Sequence, residues 1–286
     1  IGSTEGGVNL SVLREDINKG LTILADILMD PRFEQDKIDL AKVKHKSGIS
    51  RRNDFVGQIA NREFNRLIYG AQSPYARTTE YYTIDNIDRE DLVEFHVRYF
   101  HPHSVILGVW GDFTTSEMLS RIKKFFAKWR SDKAEKLELP RVDYKYRSSV
   151  NLVNKADVNQ SNIYLGHIGG RINDPDYFAL TVMNSIFGRS FSSRLFKKVR
   201  SEEGLAYHVS GAYNCNAGYP GTFYVLGQTK SQSTVEAIQY MMEEIKRLTT
   251  EEVTDEELNR AKDGYLNSFA FKFDTKQKIV ERLMFY

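Results

Sequence analysis

The stretch SSRLFKKVRSEEGLAYHVSGAY, residues 192–213, decides the reading of this chain. A basic helical run ends in Arg200, a short acidic turn with Gly204 follows, and Tyr207 opens a β-prone segment, YHVSGAY. Arg200 and Tyr207 therefore stand seven residues apart across a helix-to-strand turn. Taken alone, the pair has a plain structural account: Arg closes the helix on its last carbonyls and Tyr packs as a strand aromatic. Gly204 serves the turn and Leu205 the core.

Outward from this stretch, the second half alternates strands and helices. VNLVNKA (150–156), SNIYLGHIGG (161–170) and GTFYVLGQT (221–229) read as strands. DPDYFALTVMNSIFG (174–188) reads as a helix with Asp174 as N-cap ahead of Pro175. Helices follow at 233–248 and 254–271, and another begins at 274. In the first half, 7–13 reads as a strand and 18–28 as a helix with Leu21, Leu24, Ala25 and Leu28 on one face. DPRF (30–33) breaks it; a polar helix at 34–52 and one at 57–70 closed by Gly70 come next. IDREDLVEFHVRYF (87–100) is a helix with acidic residues in its first turn, SVILGVWGDF (104–113) a buried strand, and 116–129 a helix. FEQDKIDLAK (33–42) lines up with VTDEELNRAK (253–262), pairing Phe33 with Val253 and Ile38 with Leu258, which favours two domains of one α+β plan. The charged stretch 131–149, which holds Pro140, separates them.

Composition narrows the function classes. The 286 residues are 41% hydrophobic and 27% charged, which suits two globular domains or one large one. A net charge of +2 with interspersed acids and bases argues against nucleic acid as the main partner. The most basic run, KKFFAKWR (123–130), reads as the solvated face of a helix with Phe125, Phe126 and Trp129 inward. The single cysteine, Cys215, permits no intrachain disulfide and reads as a small semi-buried residue. No apolar run approaches the length of a membrane span. The opening IGSTEGGVNLSVL carries no signal-peptide pattern and reads as a turn entering a strand, as if mid-domain.

Several segments, in order, resemble the pitrilysin/insulinase family of zinc metallopeptidases, the inverzincins. DPDYFALTVMNSIFG, the opening stretch, and YMMEEIKRLTTEEVTDEELNRAKDGYLN (240–267) are similar to its C-terminal domain. LADILMDPRF (24–33), LIYGAQSPYAR (67–77) and VEFHVRYFHPHSVILGVWGDF (93–113) are similar to the latter part of its N-terminal domain. The resemblance implies an α+β fold of two homologous domains, each an antiparallel sheet backed by helices, as in mitochondrial processing peptidase and related metallohydrolases. It places an N-terminally truncated first domain at 1–135, a linker at 136–148 and a C-terminal domain bearing the Arg-Tyr pair at 149–286. In the family, zinc sits in one half on an H-x-x-E-H helix with a later Glu as third ligand, and the other half reaches over with an Arg and a Tyr. Arg200 and Tyr207 match that pair. An Arg fork can bind carbonyl or carboxylate oxygens, and a Tyr hydroxyl can donate to the oxyanion of peptide hydrolysis.

The metal itself is not matched. None of the six histidines (His45, His96, His101, His103, His167, His208) opens H-x-x-E-H or H-E-x-x-H. In the family that motif would lie upstream of residue 1. The third-ligand position aligns with Ser47, followed by Gly48, within the cationic run KVKHKSGISRR. Ser is a poor zinc ligand. His101-Pro-His103 offers a two-histidine metal reading, set against a simple turn before a strand, and the turn is preferred. No metal ligand is therefore expected in this chain, and the resemblance implies zinc in a partner or in the upstream segment.

Three functions remain open. The preferred one is the non-zinc half of a peptidase, lending Arg200 and Tyr207 to a zinc-bearing homologous subunit or to a homo-oligomer that cleaves peptides, and inactive alone. The second is a piece of a self-sufficient zinc metalloendopeptidase. The third is a non-catalytic scaffold, like the peptidase-like core subunits of respiratory complexes. Exported bacterial members of the family favour a periplasmic location, with the cytoplasm as the alternative.

Overall fold

Capping chemistry delimits the helices of the computed structural model, which describes residue 2, residues 4–129 and residues 138–285. In chain order they are α1 (Ile17–Met29), α2 (Gln35–Arg51), α3 (Val56–Tyr69), α4 (Tyr81–Asp85), α5 (Arg89–Tyr99) and α6 (Thr115–Phe125). Then come β1 (Gln160–Ile168), β2 (Gly170–Arg171), α7 (Tyr177–Phe187), a π-helical segment (Phe196–Glu202), β3 (Ala206–Tyr213), β4 (Cys215–Asn216) and β5 (Thr222–Lys230). Helices α8 (Thr234–Thr250), α9 (Asp255–Phe269) and α10 (Lys276–Phe285) close the order. Reciprocal capping boxes start α5 (Asp88 with Asp91) and α6 (Thr114 with Glu117), each satisfying two otherwise orphaned donors. Gly70, at φ 89°, ends α3 as expected. Arg130, linker residues 131–137 with the 135/136 boundary, Ile1, Ser3 and Tyr286 lie outside the described residues.

The class is α+β. Two units form, Ile1–Arg51 with Thr79–Glu138 and Phe269–Tyr286, and Arg52–Thr78 with Leu139–Ser268. The first unit is helical among its described residues. Leu21, Leu24 and Ala25 of α1, Ile38 of α2, Ile84 of α4 and Met118 of α6 are buried. His96 of α5 bonds the Leu28 carbonyl at the end of α1 (2.9 Å), and Phe33 takes a left-handed φ of 48° where DPRF breaks the chain.

The second unit holds an antiparallel sheet in the order β1-β5-β3. Strict alternation in β5 sends Phe223, Val225, Gly227 and Thr229 to one buried face. There they join Ile163, Phe187, Leu195, Val199, Val209, Ala237 and Met241 in one core. A Cβ on Gly227 would lie 1.9 Å from Met241 Cε, so glycine is what lets α8 close on the strand. The other face is covered by α3, where the Phe64 ring lies tilted against Tyr164 (5.1 Å) and Ile68, Tyr69 and Ile168 share a second core. Thus residues 52–78, from the first half of the sequence, pack with the second half. The helical repeat also holds: α2 and α9 each begin two residues into the aligned segments.

Three expected strands differ. Residues 7–13, 104–113 and 150–156 form no ladder. Leu13 and Val105 hold extended φ/ψ, but Ile106 is 68% exposed and Leu152 91% exposed. An apolar pattern reports a β-capable segment, whereas a strand also needs a neighbour for its N–H and C=O groups. The second expected sheet is accordingly not formed among the described residues. Asp174 is not the N-cap of α7 either. Asp176 holds that place, and the Asp174 carboxylate accepts from the Arg171 N–H (2.6 Å) instead.

Candidate functional site

The segment from Ser193 to Tyr213 departs twice from regular backbone, once at each candidate residue. Leu195 and Val199 are fully buried and anchor the helix to the core. Between them and Gly204 the helix widens to five-residue bonding: the Glu203 N–H donates to the Lys198 carbonyl (3.2 Å). Such π turns are rare and concentrate at functional sites. Arg200 lies in this segment, exposed, with its guanidinium over the Phe196 ring at 4.9 Å. Gly204, at φ 65°, reverses the chain, and the Leu205 N–H bonds back to the Val199 carbonyl (3.0 Å).

Strand β3 then starts with a bulge. Ala206 pairs with Thr229 and His208 with Gln228, so Tyr207 is an extra residue facing no partner on β5. A bulge re-aims a side chain and strengthens the local twist. Tyr207 is 53% exposed. Further along β3, the Asn184 side chain of α7 both accepts from the Tyr213 N–H (2.6 Å) and donates to its carbonyl (2.9 Å), taking the place of a neighbouring strand.

The segment is tied down on both sides of Arg200. Arg194 forms a fork on Glu257 of α9, Nε to Oε1 and Nη2 to Oε2, both 2.7 Å. That guanidinium draws the Glu257 carboxyl down from 4.5 to about 2. Lys198 pairs with Glu203 (2.7 Å) and sits over the Tyr240 ring of α8 (5.0 Å). The ion pair raises the Lys198 pKa and lowers that of Glu203. Sequence reading missed Arg194 and Glu257 as a pair, because 63 residues separate them with no local signal.

The other candidates fall elsewhere. Ser47 lies exposed on α2 with Gly48 open beside it, and its neighbour Lys46 is engaged with Asp85. A serine among lysines does not fit a zinc site, and among the described residues no group of three His, Cys, Asp or Glu side chains could hold a metal. His101 precedes and His103 lies within the tight turn Pro102–Ser104; His101 is buried with its ring against Ser104 Oγ (3.2 Å). Cys215 is half-buried on β4, where burial and the nearby Asp174 push its thiol pKa up, away from a reactive thiolate.

The profile of the family described as "Peptidase M16 inactive domain" matches residues 86–265. The chain belongs to that family. An uncharacterized zinc protease of Bacillus subtilis, YmxG, is 25% identical over 277 residues, covering 95% of this chain and 65% of its own. A Helicobacter pylori protein named a non-peptidase homolog, also YmxG, is 24% identical over 275 residues, covering 94% of this chain and 62% of its own. The crystal structure of a peptidase M16 inactive domain from Pseudomonas fluorescens superimposes with a TM-score of 0.78 at 21% identity, covering 94% of this chain and 64% of that one. The chain thus spans about three fifths of the length of the curated M16 relatives it matches. Among the described residues no helix is long and apolar enough to cross a membrane.

Proposed function

We propose that this chain is a non-zinc half of an M16 peptidase, binding peptide substrate through Arg200 and Tyr207 for a hydrolytic centre on another subunit. That subunit is a zinc-bearing homologue. The carrying observation is that the two backbone irregularities of the segment, a π turn and a β-bulge, fall on those two exposed residues. Both interrupt the regular hydrogen-bond pattern. The poor fit of Ser47 and its neighbours to a metal supports a zinc site outside these residues. Tyr207 donates its hydroxyl proton in a hydrogen bond to the carbonyl oxygen that gains negative charge, and Arg200 holds a neighbouring carbonyl or carboxylate of the peptide.

The test is peptide hydrolysis by the chain reconstituted with a zinc-bearing M16 chain of its own organism. Tyr207→Phe removes one oxyanion donor and lowers kcat by about 10²- to 10³-fold. Arg200→Ala lowers kcat/KM with unchanged thermal unfolding, since the side chain is exposed. Full activity in both variants would refute the reading.

A further inference from the structure

A π turn is an unstable default for a helix, and something must impose it on Phe196–Glu202. The strongest constraint precedes it. The Arg194 side chain is 7% exposed and its fork on Glu257 is met by a third contact, Nη2 to the Glu252 carbonyl (3.3 Å). A bidentate fork fixes orientation as well as distance. Its anchor is rigid in turn: Glu257 Oε2 accepts from the Thr254 N–H (3.0 Å), and the Glu257 N–H donates to Thr254 Oγ1 (3.2 Å), the capping box that starts α9. Stability alone does not explain such a pair, because well-packed apolar residues commonly replace buried ion pairs without loss.

We infer that Arg194 is a positioning residue, whose fork on Glu257 holds the entry of the π turn against α9 and so sets the direction in which Arg200 leaves the helix. This rests on the reading that Arg200 serves substrate. Leu195 and Val199 fix the buried side of the segment, and Arg200 follows directly on its solvent side. Relaxation to four-residue bonding would slip the helix by one residue and swing Arg200 by about 100° around the axis. At the far end, Lys198 with Glu203 and Tyr240 closes the same segment on α8. The fork therefore selects one register of two.

The experiment compares the parent chain with Arg194→Met/Glu257→Gln and with Arg194→Lys, using Arg200→Ala as a control. The double variant removes both charges while Gln keeps the α9 cap. Hydrogen exchange is read at the Glu203 and Leu205 amides, beside kcat and KM of the reconstituted peptidase. The expected result is thermal unfolding close to the parent in the double variant, exchange at both amides faster by about tenfold or more, and kcat lower by about 10²-fold with KM little changed. Arg194→Lys, which keeps the charge and loses the fork, does not restore either readout. Parent-like exchange at both amides in the folded double variant overturns the inference, as does parent-like kcat where Arg200→Ala slows the reaction. Should Arg200→Ala leave hydrolysis untouched, the functional reading fails, and the exchange rates alone still decide whether the fork holds the turn.

Discussion

Acidification offers a direct measure of the buried charge at α9. In the folded chain Glu257 is held down at about 2, against an ordinary 4.5, chiefly by hydrogen bonds from Arg194. A depressed carboxyl contributes stability that is fully present above the unfolded value of 4.5 and is lost as pH falls through about 2. The full shift corresponds to about 3 kcal/mol at neutral pH. The carboxylate keeps some contact with water, and screening lowers the expectation to about 2 kcal/mol. Urea unfolding, followed by far-ultraviolet circular dichroism from pH 7 to pH 2, measures it as the difference between the parent and Glu257→Gln. Other carboxylates titrate in both proteins and cancel. The difference is expected to shrink by about 2 kcal/mol across this range, with more than half of the loss complete near pH 3. A difference that stays constant from pH 7 to pH 2 would refute the pairing as the source of the depressed carboxyl.

Two further outcomes follow from other parts of the molecule. Asn184→Leu leaves the Tyr213 N–H and carbonyl without their partner at the edge of β3 and costs about 2–4 kcal/mol, read by urea unfolding; a loss below about 0.5 kcal/mol would mean that water takes over both bonds. The chain, purified without added metal and then dialysed against zinc, retains far less than one zinc per molecule by elemental analysis, and one tightly held zinc would overturn the assignment of the metal to a partner.

The helices were legible because their signals are local. Asp88 and Asp91, Thr114 and Glu117, and Gly70 lie within a turn of the ends they set. The spacing of Arg200 and Tyr207 was legible too, but not the backbone that carries them. The bulge exists only relative to Thr229 and Gln228 on β5, and the π turn is braced by Glu257, 63 residues from Arg194. Neither partner leaves a mark near the site in the sequence. The strands expected at 7–13, 104–113 and 150–156 failed for the converse reason. Val105, Ile106 and Leu107 form the continuous apolar run that a buried strand shows, and such a run records what the side chains prefer without recording whether a neighbouring strand stands beside it. Asp174 shows a subtler limit: two aspartates flank Pro175, and geometry gave the cap position to the second.

The covering of the sheet by α3 bears on how the chain is made. Its apolar stripe of Ile59, Phe64 and Ile68 leaves the ribosome well before the strands that it will cover. The last of these, β5, ends at Lys230. At ordinary synthesis speeds the interval is on the order of ten to thirty seconds. Throughout it the helix has no sheet to rest on, and its isolated stability is marginal at 14 residues. Completion of this unit is therefore a late, long-range event in the life of the nascent chain.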